Sequence, residues 1–202
     1  MPSISNLPVR HTDSRGREGM FVDQTAPFHR TERGSVTWAA GLQVDTDGAG
    51  RASDRSHQSK TSLLLDGKSV DAFKTPYVAI PPAVAKAAGL KLGDLVKVTG
   101  PSGASTFALY ADSNDNRARR KLGEGSPALH AAIGHPLKNL NAGLDAGVSF
   151  EAFPGSGEKL GVLANGFPDA AQLNALGAKL EAPSAWSGAR GSSAKDAFDH
   201  HR

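Results

Sequence analysis

The chain has 202 residues, of which 39% are hydrophobic, 21% charged and 6% aromatic, with a net charge of +3 and no cysteine. That length suits one ordinary domain and is short for two; the lack of cysteine excludes disulfides, thiol catalysis and thiolate metal sites together. The high Gly (23) and Pro (12) counts favour short strands and many turns over long helices.

Residues 1–35 are polar, with few periodic apolar positions, and read as an extended or weakly ordered arm. Their opening, "MPSISNLPVRHTDSRG", lacks the apolar core of a signal peptide. No stretch approaches 18 consecutive apolar residues, so no membrane span is expected. The expectation is a protein made in the cytoplasm. From Val36, "SVTWAAGLQVD" predicts a strand that ends in the turn "DTDGAG". "TSLLLDGKSVDAF" carries a short apolar run and then Asp66-Gly67, a strong turn signal. "PYVAI", fenced by Pro76 and by Pro81-Pro82, predicts a strand, and "PAVAKAAG" a short helix with Pro at its start and Gly89 at its end.

"LKLGDLVKVTG" and "TFALYAD" predict a hairpin across "GPSG", with Leu95 and Lys97 on one face and Val96 and Val98 on the other. "GEGS" reads as a turn, after which Ser126 caps a helix through "ALHAAIG". "GVSFEAF" predicts a last strand with Val148 and Phe150 on one face. "PDAAQLNALGAKLEA" reads as one amphipathic helix, about 168–182, within a C-terminal extension over 157–202 that ends in a tail rich in small residues. The fold class expected is mostly β, with a few short helices.

Several chemical signatures come close and miss. "SLLLDGKS" contains the Gly-Lys-Ser of a phosphate loop, but Ser62 stands where the first Gly is required. "DTDGAG" begins like a calcium loop, yet Ala49 has no side-chain oxygen at the fifth position and Ser56 replaces the twelfth-position Glu. His130 and His135 are five residues apart with no Glu after the first, which is not the spacing of a zinc-protease helix. No Gly-x-Ser-x-Gly elbow is present. No metal and no cofactor are expected.

Carboxylate chemistry remains. Asp112 ends the apolar run Phe107-Ala108-Leu109-Tyr110, at a strand-to-loop boundary where active-site groups project. Glu124 lies a dozen residues on, between Gly123 and Gly125, which let backbone approach a ligand closely. Two carboxyl groups held in different environments can divide the roles of general acid and general base. On the residues alone, two solvated turn acids read as well.

Four blocks, in order from about Leu42 to Ser156, resemble glycoside hydrolase family 75, the chitosanases. "LQVDTDG" is similar to an early Asp-rich block, with Asp45 and Asp47 kept and Gln43 where an acid is common. "TSLLLDGKSVDAFKTPYVAIPP" resembles its second block, "ALYADSNDNRARRKLGEGS" the catalytic one and "GVSFEAFPGS" the closing strand. The resemblance implies a six-stranded barrel of double-psi type over residues 36–156. It also implies an inverting mechanism with Asp112 and Glu124 as the catalytic pair; Glu124 is assigned the acid and Asp112 the base. Asp45 and Asp47 would bind substrate. The chain departs from the pattern at Ala111, where Gly precedes the catalytic Asp, and at Gly125, where Ala is usual; it also lacks the cysteines and signal peptide of exported members.

Between the two acids lies "RARRK". Arg117, Arg119, Arg120 and Lys121 form either a solvated loop or a substrate-facing run. Beside a cleft they would repel polycationic chitosan and attract an amino-sugar polymer that carries carboxylates, such as peptidoglycan. A signal-less enzyme of that kind would reach a cell wall through a specialised secretion system or by lysis, as an effector or lysin does, with a secretion-system or immunity partner. The rival reading is a non-catalytic barrel module that binds glycan or a partner protein. Without interleaved aromatics, nucleic acid is not expected as a partner.

Overall fold

The computed structural model describes residues 21–50, 57–113 and 121–182, together with the two-residue strands β1 (Ser5–Asn6), β2 (His11–Thr12) and β3 (Glu18–Gly19). The remaining strands are β4 (Ala26–Arg30), β5 (Val36–Val44), β6 (Leu64–Leu65), β7 (Lys68–Ser69), β8 (Tyr77–Ala79), β9 (Leu95–Thr99), β10 (Ser105–Asp112), β11 (Glu124–Gly125) and β12 (Leu144–Phe153). Four short helices complete the described chain: α1 (Pro82–Ala88), α2 (Pro127–Ala132), α3 (Ser156–Leu160) and α4 (Ala170–Glu181). None is long and apolar enough to cross a membrane.

Six strands close a barrel in the order β5-β11-β8-β10-β9-β12, with β12 returning to β5; β4 and β1 extend the sheet beyond β5. Two pairs are parallel, β5 with β11 and β8 with β10, and the two meet across the antiparallel β8–β11 pair. Alternation along each strand separates two apolar layers. Val36, Trp38, Ala40 and Leu42 of β5 face inward with Val96, Val98, Ala108, Tyr110, Val148 and Phe150. Trp38 and Phe150 are direct partners in the β5–β12 register, and their rings stack with centroids 5.1 Å apart. The other face of β8, β9 and β10 is also covered, as Tyr77, Leu95, Phe107 and Leu109 pack against Leu173 and Leu180 of α4. A strand covered on both faces has no polar side to show, so β10 reads as a continuous apolar run.

Local chemistry sets the turns as expected. Asp66 (φ 50°) and Gly67 (φ 73°) take the paired left-handed conformation of a tight hairpin between β6 and β7. Gly89 (φ 75°) ends α1, and the Ser126 hydroxyl accepts from Leu129 N to start α2.

The structure differs from the sequence reading in three places. Residues 21–35 are no loose arm: Phe21 and Phe28 are buried in the inner layer and β4 pairs with β5. "GEGS" is not a turn, because Glu124 and Gly125 form a strand between β5 and β8. The C-terminal helix is not peripheral, because α4 closes the outer layer; its start is capped by Asp169 and Gln172, which bond each other's backbone amides.

Candidate active site

The two candidate catalytic acids come from different elements and flank the same residue of β8. Asp112, at the end of β10, is the register partner of Ala79 on one side of β8. Glu124, in β11, is the partner of Ala79 on the other side and of Gln43 in β5. Residues directly opposite in a sheet project from the same face. Gln43, Glu124, Ala79 and Asp112 therefore form one row across four strands. Ala79, the residue between the two acids, contributes only a methyl group. Strand spacing puts the two acidic backbones roughly 9–10 Å apart, twice the interval between neighbours.

Asp112 is tightly held. Its Oδ1 accepts from Ser62 N (2.9 Å), Ser62 Oγ (2.6 Å) and Ser113 N (2.7 Å). Ser62 is thus the residue that orients the acid, and the segment carrying it is tied along β10 by Leu63 N donating to Ala111 O (2.9 Å). The bulge between Tyr110 and Asp112 turns the acid out of the regular register.

Asp45 and Asp47, in the turn after β5, bring their carboxyl groups to Asp112. One oxygen each from Asp45, Asp47 and Asp112 all lie within 4.8 Å of one another. Such a concentration of negative charge is relieved by a proton or by an oxygen-seeking cation. Burial pushes the Asp45 carboxyl up to about 7; the neighbouring Asp112 and Asp47 carboxylates add to the rise, and the Asp47 amide, which donates to Asp45 Oδ1 (2.9 Å), opposes it. Beneath the turn, the fully buried Tyr77 hydroxyl donates to Asp47 O (2.9 Å). Burial, with Asp45 and Asp112 nearby, raises the Tyr77 hydroxyl well above its usual range, so it stays a neutral donor.

Behind Gln43 stands His130 of α2. It is fully buried, with Nε2 3.3 Å from Gln43 O and its ring 5.7 Å from that of His135. Burial lowers it to about 4, the His135 ring contributes in the same direction, and the Gln43 carbonyl opposes. His130 is thus a neutral support for the β5 end of the row.

Of the cations, Lys121 lies 3.8 Å from Asp145 across the lead-in to β11; Arg117, Arg119 and Arg120 lie outside the described residues. Sequence reasoning names Asp45, Asp47, Asp112 and Glu124 as candidates but not Ser62, which bonds Asp112, Tyr77, which bonds Asp47 O, or His130, which stands beside Gln43. In sequence, Ser62 is only the residue that spoils a phosphate loop. Its partner lies fifty positions away, so no local pattern announces it. No family model matches this chain, and neither does any curated protein.

Proposed function

We propose that the protein is a glycoside hydrolase that cleaves β-1,4 bonds of an amino-sugar polymer, chitosan-type or peptidoglycan, by an inverting two-carboxylate mechanism. The observation that carries this reading is the pair of acids held on either side of Ala79. Inverting enzymes need about 6.5–9.5 Å between carboxyl groups to admit a water beside the sugar, and acids on alternate strands have that reach. Asp112 serves as the base that draws a proton from the attacking water, its orientation set by Ser62 and Ser113. Glu124 protonates the departing glycosidic oxygen. Asp45 and Asp47 contact the sugar hydroxyl or amino groups next to the cleavage point.

The test is release of reducing ends from chitosan and from peptidoglycan sacculi, with the anomeric form of the first product read by NMR. Asp112→Asn and Glu124→Gln are each expected to lose about 10²- to 10⁴-fold in rate while keeping the wild-type circular dichroism spectrum. Wild-type rates in both folded variants overturn the assignment. A wild-type protein that binds either polymer without cleaving it supports the glycan-binding module instead.

A further inference from the structure

Glu124 sits in a strand only two residues long, and a short strand inserted between two others has little of its own to fix its register. A slip by one residue would turn Glu124 into the barrel interior. On its C-terminal side the strand is anchored by Asp45 N donating to Gly125 O (2.8 Å) and Ser126 N donating to Tyr77 O (3.0 Å). On its N-terminal side the amides of Leu122 and Gly123 turn to one buried carboxylate, that of Asp23. Oδ1 accepts from Leu122 N (2.7 Å) and Oδ2 from Gly123 N (3.2 Å).

The backbone around Asp23 is itself fastened to β5. Gly41 N donates to Asp23 O (3.0 Å) and Thr25 N to Ala39 O (2.9 Å). Gly123 in turn accepts from Gln43 N (2.9 Å) and lies so close to Gly41 O that a Cβ there would overlap it. Asp23 thus joins the segment before the barrel, the middle of β5 and the entry to β11 at a single point.

We infer that Asp23 is a positioning residue: its carboxylate sets the register of β11 and so places Glu124 opposite Ala79. The inference deepens the proposed function and rests on it for the role of Glu124. Two consecutive amides on one carboxylate make a bidentate clamp of charge-assisted bonds, which neither a hydroxyl nor an amide side chain reproduces.

The experiment uses the full chain with Asp23→Ala and Asp23→Asn. Amide hydrogen exchange is read at Leu122, Gly123, Glu124 and Gly125, with Val96, Val98 and Ala108 as distant references, and kcat and KM are measured for reducing-end release. Asp23→Ala is expected to speed exchange at the four β11 positions by about tenfold or more, as local opening becomes easier, with the references unchanged. Its kcat is expected to fall at least about tenfold with KM within about twofold, since displacement of a catalytic group by even an ångström is costly. Asp23→Asn keeps one acceptor for Leu122 N and is expected to lie between. Unchanged exchange at the four positions, uniform loss of protection across references as well, or an unchanged kcat overturns the inference. Should Asp23→Ala fail to fold, the same comparisons on Asp23→Asn decide. If the wild type cleaves neither polymer, the proposed reaction fails, and exchange alone then decides whether Asp23 holds β11 in place.

Discussion

Asp45 and His130 stand at the same end of β5 and titrate in opposite senses. The folded chain keeps a proton on Asp45 up to about pH 7, whereas the unfolded carboxyl releases it near 3.8. The Asp45 contribution to stability is therefore fully present below the unfolded value and is lost as pH rises to about 7. His130 behaves inversely: its unfolded imidazole charges near 6.5 and its buried one only near 4. Its contribution is present above 6.5 and lost as pH falls through 4. Between about pH 4 and 6.5 the two slopes oppose, each at most about 1.4 kcal/mol per pH unit. Asp45→Asn should leave the histidine slope alone, so that stability declines on going from about pH 6.5 to about 4.5. His130→Asn should leave the carboxyl slope, so that stability rises over the same interval. Urea midpoints at the two pH values check both; parallel slopes in the two variants would contradict the assignment.

At the scale of elements, α4 does most to close the outer layer. Asn174 Oδ1 accepts from Phe107 N (2.8 Å), Arg33 Nη2 donates to Leu180 O (2.9 Å), and Lys97 pairs with Glu181. Gly177 lets the helix approach β10 so closely that a Cβ there would fall on the Phe107 ring. Gly177→Ala gains about 1 kcal/mol of helix propensity, but overpacking costs about 1–3 kcal/mol and here meets a buried ring that packs against Phe153. The net expectation is a lower melting temperature, part of which Phe107→Leu restores in the double variant. Leu173→Ala, at a fully buried position, should cost about 2–5 kcal/mol. Thermal melts followed by circular dichroism test the series, and a Gly177→Ala variant more stable than wild type would show that the ring yields and that α4 is not held at its contact limit.

For the whole molecule, the proposed reaction makes substrate preference a contest between the carboxylates of the row, which would attract a polycation, and the basic run in the sequence ahead of β11, which would repel one. The Lys121–Asp145 pair, whose acid is almost fully exposed, is worth about 0–1 kcal/mol and does not neutralise the run. If Arg117, Arg119, Arg120 and Lys121 face the bound polymer, cleavage of peptidoglycan should fall as salt rises, since exposed charges lose reach beyond about 8 Å at physiological ionic strength. Chitosan cleavage should then be weak at low salt and improve with it. Replacing the run by "QAQQQ" should reverse the preference and keep turnover. Strong chitosan cleavage at low salt with none of sacculi would assign the acids, not the cations, as the selector.

Those features of the chain that depend on neighbours in sequence are legible from the residues alone. Alternation marks β9 and β12, apolar runs mark β5 and β10, Asp66-Gly67 marks a left-handed turn and Gly89 a helix end, because φ preference and side-chain period act over a few residues. The six-stranded barrel agrees with what the block resemblance implies, and the acids are candidates on that resemblance. The geometry around those acids is not legible there. β11 is a strand only because β5 and β8 leave a gap that two residues fill, and Gly-Glu-Gly-Ser by itself has the composition of a turn. The buried places of Phe21, Phe28 and Asp23 likewise come from pairing with a strand that follows them, not from their polar surroundings in sequence. Asp45, Asp47 and Asp112 gain their shared charge only where the chain returns to the same row, since desolvation and Coulomb forces act across space and carry no sequence period.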